Sequence, residues 1–111
     1  SWGWKFHHIG IPTNEQKENE RYLPQIRTYV SAFETSPFGI EWMRFEEGSE
    51  VQELIQKIPH IAFEVEDLDW ELENRGFNVI SPPGAPSDGI RDAMIEYKGA
   101  LIQLFEFEMN K

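Results

Sequence analysis

The stretch Pro59-His60-Ile61-Ala62-Phe63-Glu64-Val65-Glu66-Asp67-Leu68-Asp69 decides the fold. Its first half is rich in β-branched and aromatic residues, so His60 to Val65 reads as a strand. Asp67 then offers a side-chain oxygen to the free amides of a helix start, Leu68 and Leu72 share one helix face, and Gly76 ends the helix. A histidine-led strand running into an acid-capped helix is expected here.

Toward the C-terminus, Asn78 to Ser81 reads as a short strand and Pro82 to Gly89 as a Pro/Gly-rich loop. Arg91 to Tyr97 and Ala100 to Phe107 follow as two strands joined at Lys98-Gly99. Toward the N-terminus, Val51, Leu54, Ile55 and Ile58 recur at helical spacing, which predicts either a short helix with one buried face or a linker along the core edge. Before it lie a strand over Trp4 to Ile11 and a short exposed helix opened by the capping box Thr13/Gln16 and stopped by Pro24. A strand over Arg27 to Phe33, a turn at Ser36-Pro37-Phe38-Gly39 and a strand over Ile40 to Glu46 complete the reading.

The order strand, helix, strands thus occurs twice, and the residues repeat with it. His8-Ile9-Gly10-Ile11 answers His60-Ile61-Ala62-Phe63, and Ile40-Glu41-Trp42-Met43 answers Ile102-Gln103-Leu104-Phe105. Thirty-three positions separate His8 from Glu41 but forty-three separate His60 from Gln103, so the first half is ten residues shorter. Ten residues is about one strand plus a turn, and the first half is expected to lack a strand. The expectation is one α+β domain over residues 1–111, with a first module over about 4–48 and a second over about 58–108.

Composition narrows the function. A chain of 111 residues, 40% hydrophobic, forms one domain with its own core. It has no cysteine, which removes disulfides, thiolate metal sites and cysteine nucleophiles, and which agrees with a cytoplasmic location. Ten Lys and Arg against twenty Asp and Glu give a net charge of −10, which repels nucleic acid and anionic membranes and suits a cation or small molecule. No apolar run has the length of a membrane span, no leader pattern opens the chain, and Trp2 and Trp4 read only as anchors. Neither a Ser/His/Asp order nor a phosphate-binding or dinucleotide glycine loop is present.

Three stretches, Phe6-His7-His8-Ile9-Gly10-Ile11, the Pro59 to Asp69 segment, and Gly99-Ala100-Leu101-Ile102-Gln103-Leu104-Phe105-Glu106, resemble the vicinal-oxygen-chelate superfamily. That superfamily includes glyoxalase I, methylmalonyl-CoA epimerase, extradiol dioxygenases and bleomycin-resistance proteins. The resemblance implies two βαβββ-like modules, the first shortened, whose curved mixed sheets form a cleft. Three strands are expected after the first helix and two are legible. In epimerase-like members the strand that is not legible can carry an acid/base residue.

Strand alternation puts His8, Gly10 and Pro12 on one face, and His60, Ala62 and Glu64 on one face, leaving room beside each imidazole. Neutral imidazoles on converging strands suit a metal. The resemblance carries four metal positions onto His8, Glu41, His60 and Gln103, with Glu41 also moving a proton. This mixed N/O shell suits zinc, nickel, cobalt, iron or manganese better than magnesium or calcium, with the Gln103 amide its weakest member. The plain alternative is two hydrogen-bonded core histidines and a solvent-facing Glu41. His7 and Glu106 are expected on the opposite faces of their strands, and Glu108 is a further carboxylate near the end. Arg91 is either a clamp for an anionic substrate or a solvated partner of carboxylates. Trp42, Phe45, Phe105 and Phe107 read as core and pocket wall.

Three functions follow: a metal-dependent lyase or isomerase of a small oxygen-bearing substrate, a metal-free small-molecule binding or sequestration protein, or an interaction domain with a vestigial site. A homodimer is expected, because the short first half leaves a sheet edge to cover.

Overall fold

The strand read over Trp4 to Ile11 forms β1 (Lys5–Pro12) in a computed structural model that describes residues 2–31 and 36–108. It is followed by β2 (Arg21–Leu23), β3 (Thr28–Ser31), β4 (Ile40–Phe45) and a one-turn helix α1 (Glu53–Lys57). The second half comprises β5 (His60–Glu64), α2 (Leu68–Asn74), β6 (Asn78–Ser87), β7 (Ile90–Tyr97) and β8 (Ala100–Phe107). All eight strands join one curved mixed sheet in the order β2-β3-β4-β1-β5-β8-β7-β6. This is the α+β fold of two modules round a cleft.

The two halves are related by a pseudo-two-fold between β1 and β5, which pair antiparallel with Ile9 opposite Ile61. Outward from that seam each module repeats one pattern: a parallel partner (β4 or β8), then two antiparallel strands. The first half therefore lacks no strand. The ten-residue deficit falls on the helix and on the edge strand, since β2 has three residues where β6 has ten.

The helix expected between Thr13 and Leu23 does not form. Asn19 takes φ +58°, in the left-handed region that interrupts a helix, and Thr13 Oγ1 accepts only the nearby Glu15 amide at 3.0 Å. The segment instead lies as a strap over the outer face of β4. Glu20 grips Arg44 with two hydrogen bonds of 2.7 and 2.9 Å, and Lys17 sits 4.8 Å over the Trp42 ring. Ionic and cation–π contacts replace the apolar helix face that this sequence does not have.

α2 forms as read. Asp67 accepts the Trp70 amide at 3.0 Å, Glu106 accepts the Leu68 amide at 2.8 Å, and Gly76 follows the helix with φ +67°. Leu68 buries against Val65, Ala93, Ile95 and Leu104, with Trp4, Phe63 and Phe77 closing the cluster. Trp4 is thus an anchor, and Trp2 stacks beside it at 5.1 Å under Arg75. α1 buries Ile55 against Met94 and Leu101 at one end of the cleft, whereas Leu54, expected on its inner face, is exposed.

Pro82 to Ser87 continues β6 instead of forming a loop. Three prolines are tolerated because β6 is an edge strand whose pairing to β7 shifts register three times. Phe33, placed in the second strand by sequence, lies outside the described residues. Among the described residues, no helix is long and apolar enough to cross a membrane.

Candidate functional site

The register of the four central strands assembles the site. One row across the sheet reads Glu41 on β4, Gly10 on β1, His60 on β5; a second reads Gln103 on β8, Ala62 on β5, His8 on β1. Each row places an oxygen-bearing side chain, a tiny residue and a histidine on adjacent strands, and the pseudo-two-fold exchanges the rows. All four expected ligands face one cavity of about 550 Å³. The His8 and His60 rings lie 5.5 Å apart, and His8 Nε2 is 3.5 Å from Glu41 Oε1.

The tiny residues serve a purpose that alternation alone does not reveal. Each makes room for the histidine of the other half: Gly10 lies opposite His60 and Ala62 opposite His8. The space beside Gly10 is filled by the His60 ring, not left open for a substrate.

Burial sets the charge of the site. It lowers His8 to about 3, helped by the neighbouring His60 and His7, and lowers His60 to about 4 despite a small opposing effect of Gln103. Both imidazoles are neutral at pH 7 and carry lone pairs. Asp92 on β7 is pushed up to about 6 by burial, although it accepts a hydrogen bond from Gln103 Nε2 at 2.8 Å. Among the described residues, both ring nitrogens of His60 and Oε1 of Gln103 are buried without a hydrogen-bond partner. Also among the described residues, no group of three or more His, Asp and Glu side chains is arranged to hold a metal ion.

Two residues of the cleft were not placed there by the sequence reading. His7 was expected on the opposite face, but β1 changes register between Phe6 and His8, and this bulge turns its ring inward. His7 Nδ1 lies 2.8 Å from His8 Nδ1, and its ring packs edge-on at 4.6 Å against Phe105. Asp92 lies on the same strand as Met94 and shares its cleft face; the available signal was its alternation with Met94 on a strand whose Ile90, Asp92, Met94 and Glu96 share one face. Arg91, the candidate anion clamp, points away and pairs with Asp69 at 3.1 and 3.2 Å. Glu106 lies on the outer face, where it caps α2. Phe45, Phe105 and Phe107 line the cleft, but Trp42 belongs to the outer face under Lys17.

The sequence matches no protein-family model and no curated protein. Solved structures share its fold. A hypothetical protein, BH1468, from Bacillus halodurans C-125 superposes with TM-score 0.65 at 16% identity, over 98% of each chain. Methylmalonyl-CoA epimerase from Mycobacterium tuberculosis superposes with TM-score 0.64 at 20% identity, over 95% of this chain and 89% of the epimerase. At these identities the likeness is one of fold alone.

Proposed function

We propose that this chain is a vicinal-oxygen-chelate protein whose cleft binds one divalent cation on His8, Glu41, His60 and Gln103, and that it is a lyase or isomerase of a small oxygen-bearing molecule. The observation that carries this reading is the convergence of His8, Glu41, His60 and Gln103 on one cavity, where the His60 ring nitrogens and Gln103 Oε1 are buried with no hydrogen bond of good geometry among the described residues. Leaving such atoms unsatisfied costs about 1–3 kcal/mol each, and ligation through the one imidazole lone pair and through Oε1 offsets part of that cost. By donor chemistry, two neutral imidazoles, a carboxylate and an amide oxygen suit zinc, nickel, cobalt, iron or manganese, and their side chains must turn from their present arrangement to hold the ion. A bound cation of this kind supplies Lewis acidity toward substrate oxygens.

The chain's own residues then divide the work. Glu41, beside His8, takes a proton from the substrate and returns it. Asp92 engages the Gln103 amide nitrogen and so turns Oε1 away from itself, toward the site. Phe105 and Phe107, stacked edge-on at 5.1 Å, wall the cleft against water.

Elemental analysis of untagged protein purified without chelators, followed by titration of the stripped protein with the five cations, tests the proposal. About one cation per chain is expected in the wild type and none in His60→Ala. A wild type that takes up none of the five overturns it.

A second reading, a metal-free binding protein of bleomycin-resistance-like type, is favoured by one observation: the cavity of about 550 Å³ is walled largely by apolar side chains, among them Met43, Phe45, Phe105 and Phe107. It expects small-molecule binding that chelators leave unchanged.

A further inference from the structure

The cleft has carboxyl groups but few cationic side chains. Among the described residues that line it, Arg21 on the three-residue edge strand β2 brings a permanent positive charge, and it is exposed at the rim. Glu41, Glu50 and Asp92 bring carboxyl groups. His8 and His60 belong to the central polar rows and His7 packs against His8, so none of the three stands along the outer walls.

The remaining walls are apolar and follow the pseudo-two-fold. Met43 and Phe45 stand two and four positions beyond Glu41 on β4, and Phe105 and Phe107 stand at the same offsets beyond Gln103 on β8. Met94 and Ile55 meet at one end. The polar rows therefore occupy the middle of the cleft, and apolar surface runs from them along both halves. The cavity, about 550 Å³, is of a size for a small organic molecule.

An ionised group on the body of a ligand gives up its hydration against these walls and finds no cationic side chain along them in exchange, while the net charge of −10 opposes its approach. A neutral apolar body loses nothing of the kind and gains by contact with Met43, Phe45, Met94 and Phe105. We infer that the cleft selects a neutral, largely apolar small molecule whose oxygens are gathered at one point, and rejects molecules whose body carries a phosphate, sulfonate or carboxylate. The oxygens meet the central polar rows, and the body lies along the apolar walls. The inference rests on the reading of this cleft as the substrate site and names the substrate class.

Two fluorescent probes that differ by one sulfonate test it: N-phenyl-1-naphthylamine, which is neutral, and 8-anilinonaphthalene-1-sulfonate. Both are titrated into the chelator-treated full chain. The neutral probe is expected to bind with a dissociation constant at least about tenfold lower. The preference should persist in about 0.5 M sodium chloride, which screens the surface charge but not a buried site. Phe107→Lys places a cation at a half-exposed wall position, where the change is tolerable for folding. It should strengthen sulfonate binding at least about fivefold at low salt without strengthening the neutral probe. Equal or tighter sulfonate binding in the wild type, with Phe107→Lys still strengthening it, overturns the substrate class and leaves the cleft as a ligand site. Binding of both probes that ignores Phe107→Lys, or no binding of either, overturns the inference together with the reading of the cleft.

Discussion

Gly10 lies directly beneath the imidazole of His60: a methyl group added to Gly10 would stand 2.2 Å from Cε1 and 2.5 Å from Nε2. The seam between the two halves is therefore closed by a glycine of one half and a histidine of the other. The reciprocal contact, His8 over Ala62, already accommodates a methyl group.

Gly10→Ala is accordingly expected to displace the buried His60 ring and to cost about 1–3 kcal/mol of stability by urea denaturation. The cost should shrink when His60 is also replaced by Ala, because the collision then has no second partner. Strictly additive losses in the double mutant would contradict the contact.

His60→Ala alone is expected to leave a folded domain that binds no divalent cation. His60 is 2% exposed, so a small cavity forms, but its ring nitrogens have at most the contact with Gln103 to lose among the described residues. The net change should stay within about 2 kcal/mol. Unfolding of both His60→Ala and His8→Ala, with cation uptake of the folded fraction unaltered, would make the pair core histidines.

Asp92→Leu should weaken cation binding about ten- to a hundredfold, the usual effect of removing a partner that orients a ligand. Asp92 accepts from Gln103 Nε2, and without it the amide is free to turn Oε1 outward. Isothermal titration of the stripped protein reads the change, and an unaltered affinity would remove Asp92 from the site.

The stability of the chelator-treated protein should fall as pH drops from about 6.5 toward 4. His8 and His60 titrate near 3 and 4 when folded against 6.5 for an ordinary histidine, so in this window the unfolded chain binds two protons that the folded chain refuses. Asp92, near 6 when folded against 3.8 ordinarily, works the other way and holds one proton that the unfolded chain releases. The difference from these three groups is about one proton, or about 1.4 kcal/mol per pH unit, and His7, also lowered by burial, adds to it in the same direction. Asp92→Asn removes the opposing proton and should roughly double the slope; urea midpoints measured across the window decide it.

A homodimer would have to use a face of the domain. β2 has only three residues, and β6 carries Pro82, Pro83 and Pro86 together with three register shifts, so neither outer strand offers a regular edge for pairing. Light scattering at tens of micromolar is expected to give about twice the 13.0 kDa chain mass. A mass of one chain would count against association.

The duplicated motif was legible because period-two alternation is a local property. It needs only the order of His8, Gly10, His60 and Ala62 to place those residues on one face of two strands. Two residues of the cleft were not legible for the same reason. Alternation sends His7 outward, and only the register change on pairing with β5 turns it back. Asp92 becomes notable only when β7 brings it beside Gln103.

By itself the sequence determined the α+β class, the two-module repeat, the acid-capped α2 and the inward histidines through periodicity, capping and repetition along the chain, with Glu41 and Gln103 added by the family resemblance. Tertiary structure decided where the ten-residue deficit fell. Thr13 to Glu20 has no apolar face with which to dock a helix, and Arg44 and Trp42 on β4 offer it ionic and cation–π partners instead. It also decided what the tiny residues are for. A glycine in a strand records only that something comes close, and the identity of that neighbour, His60, is fixed by the pairing of two strands fifty residues apart in the chain.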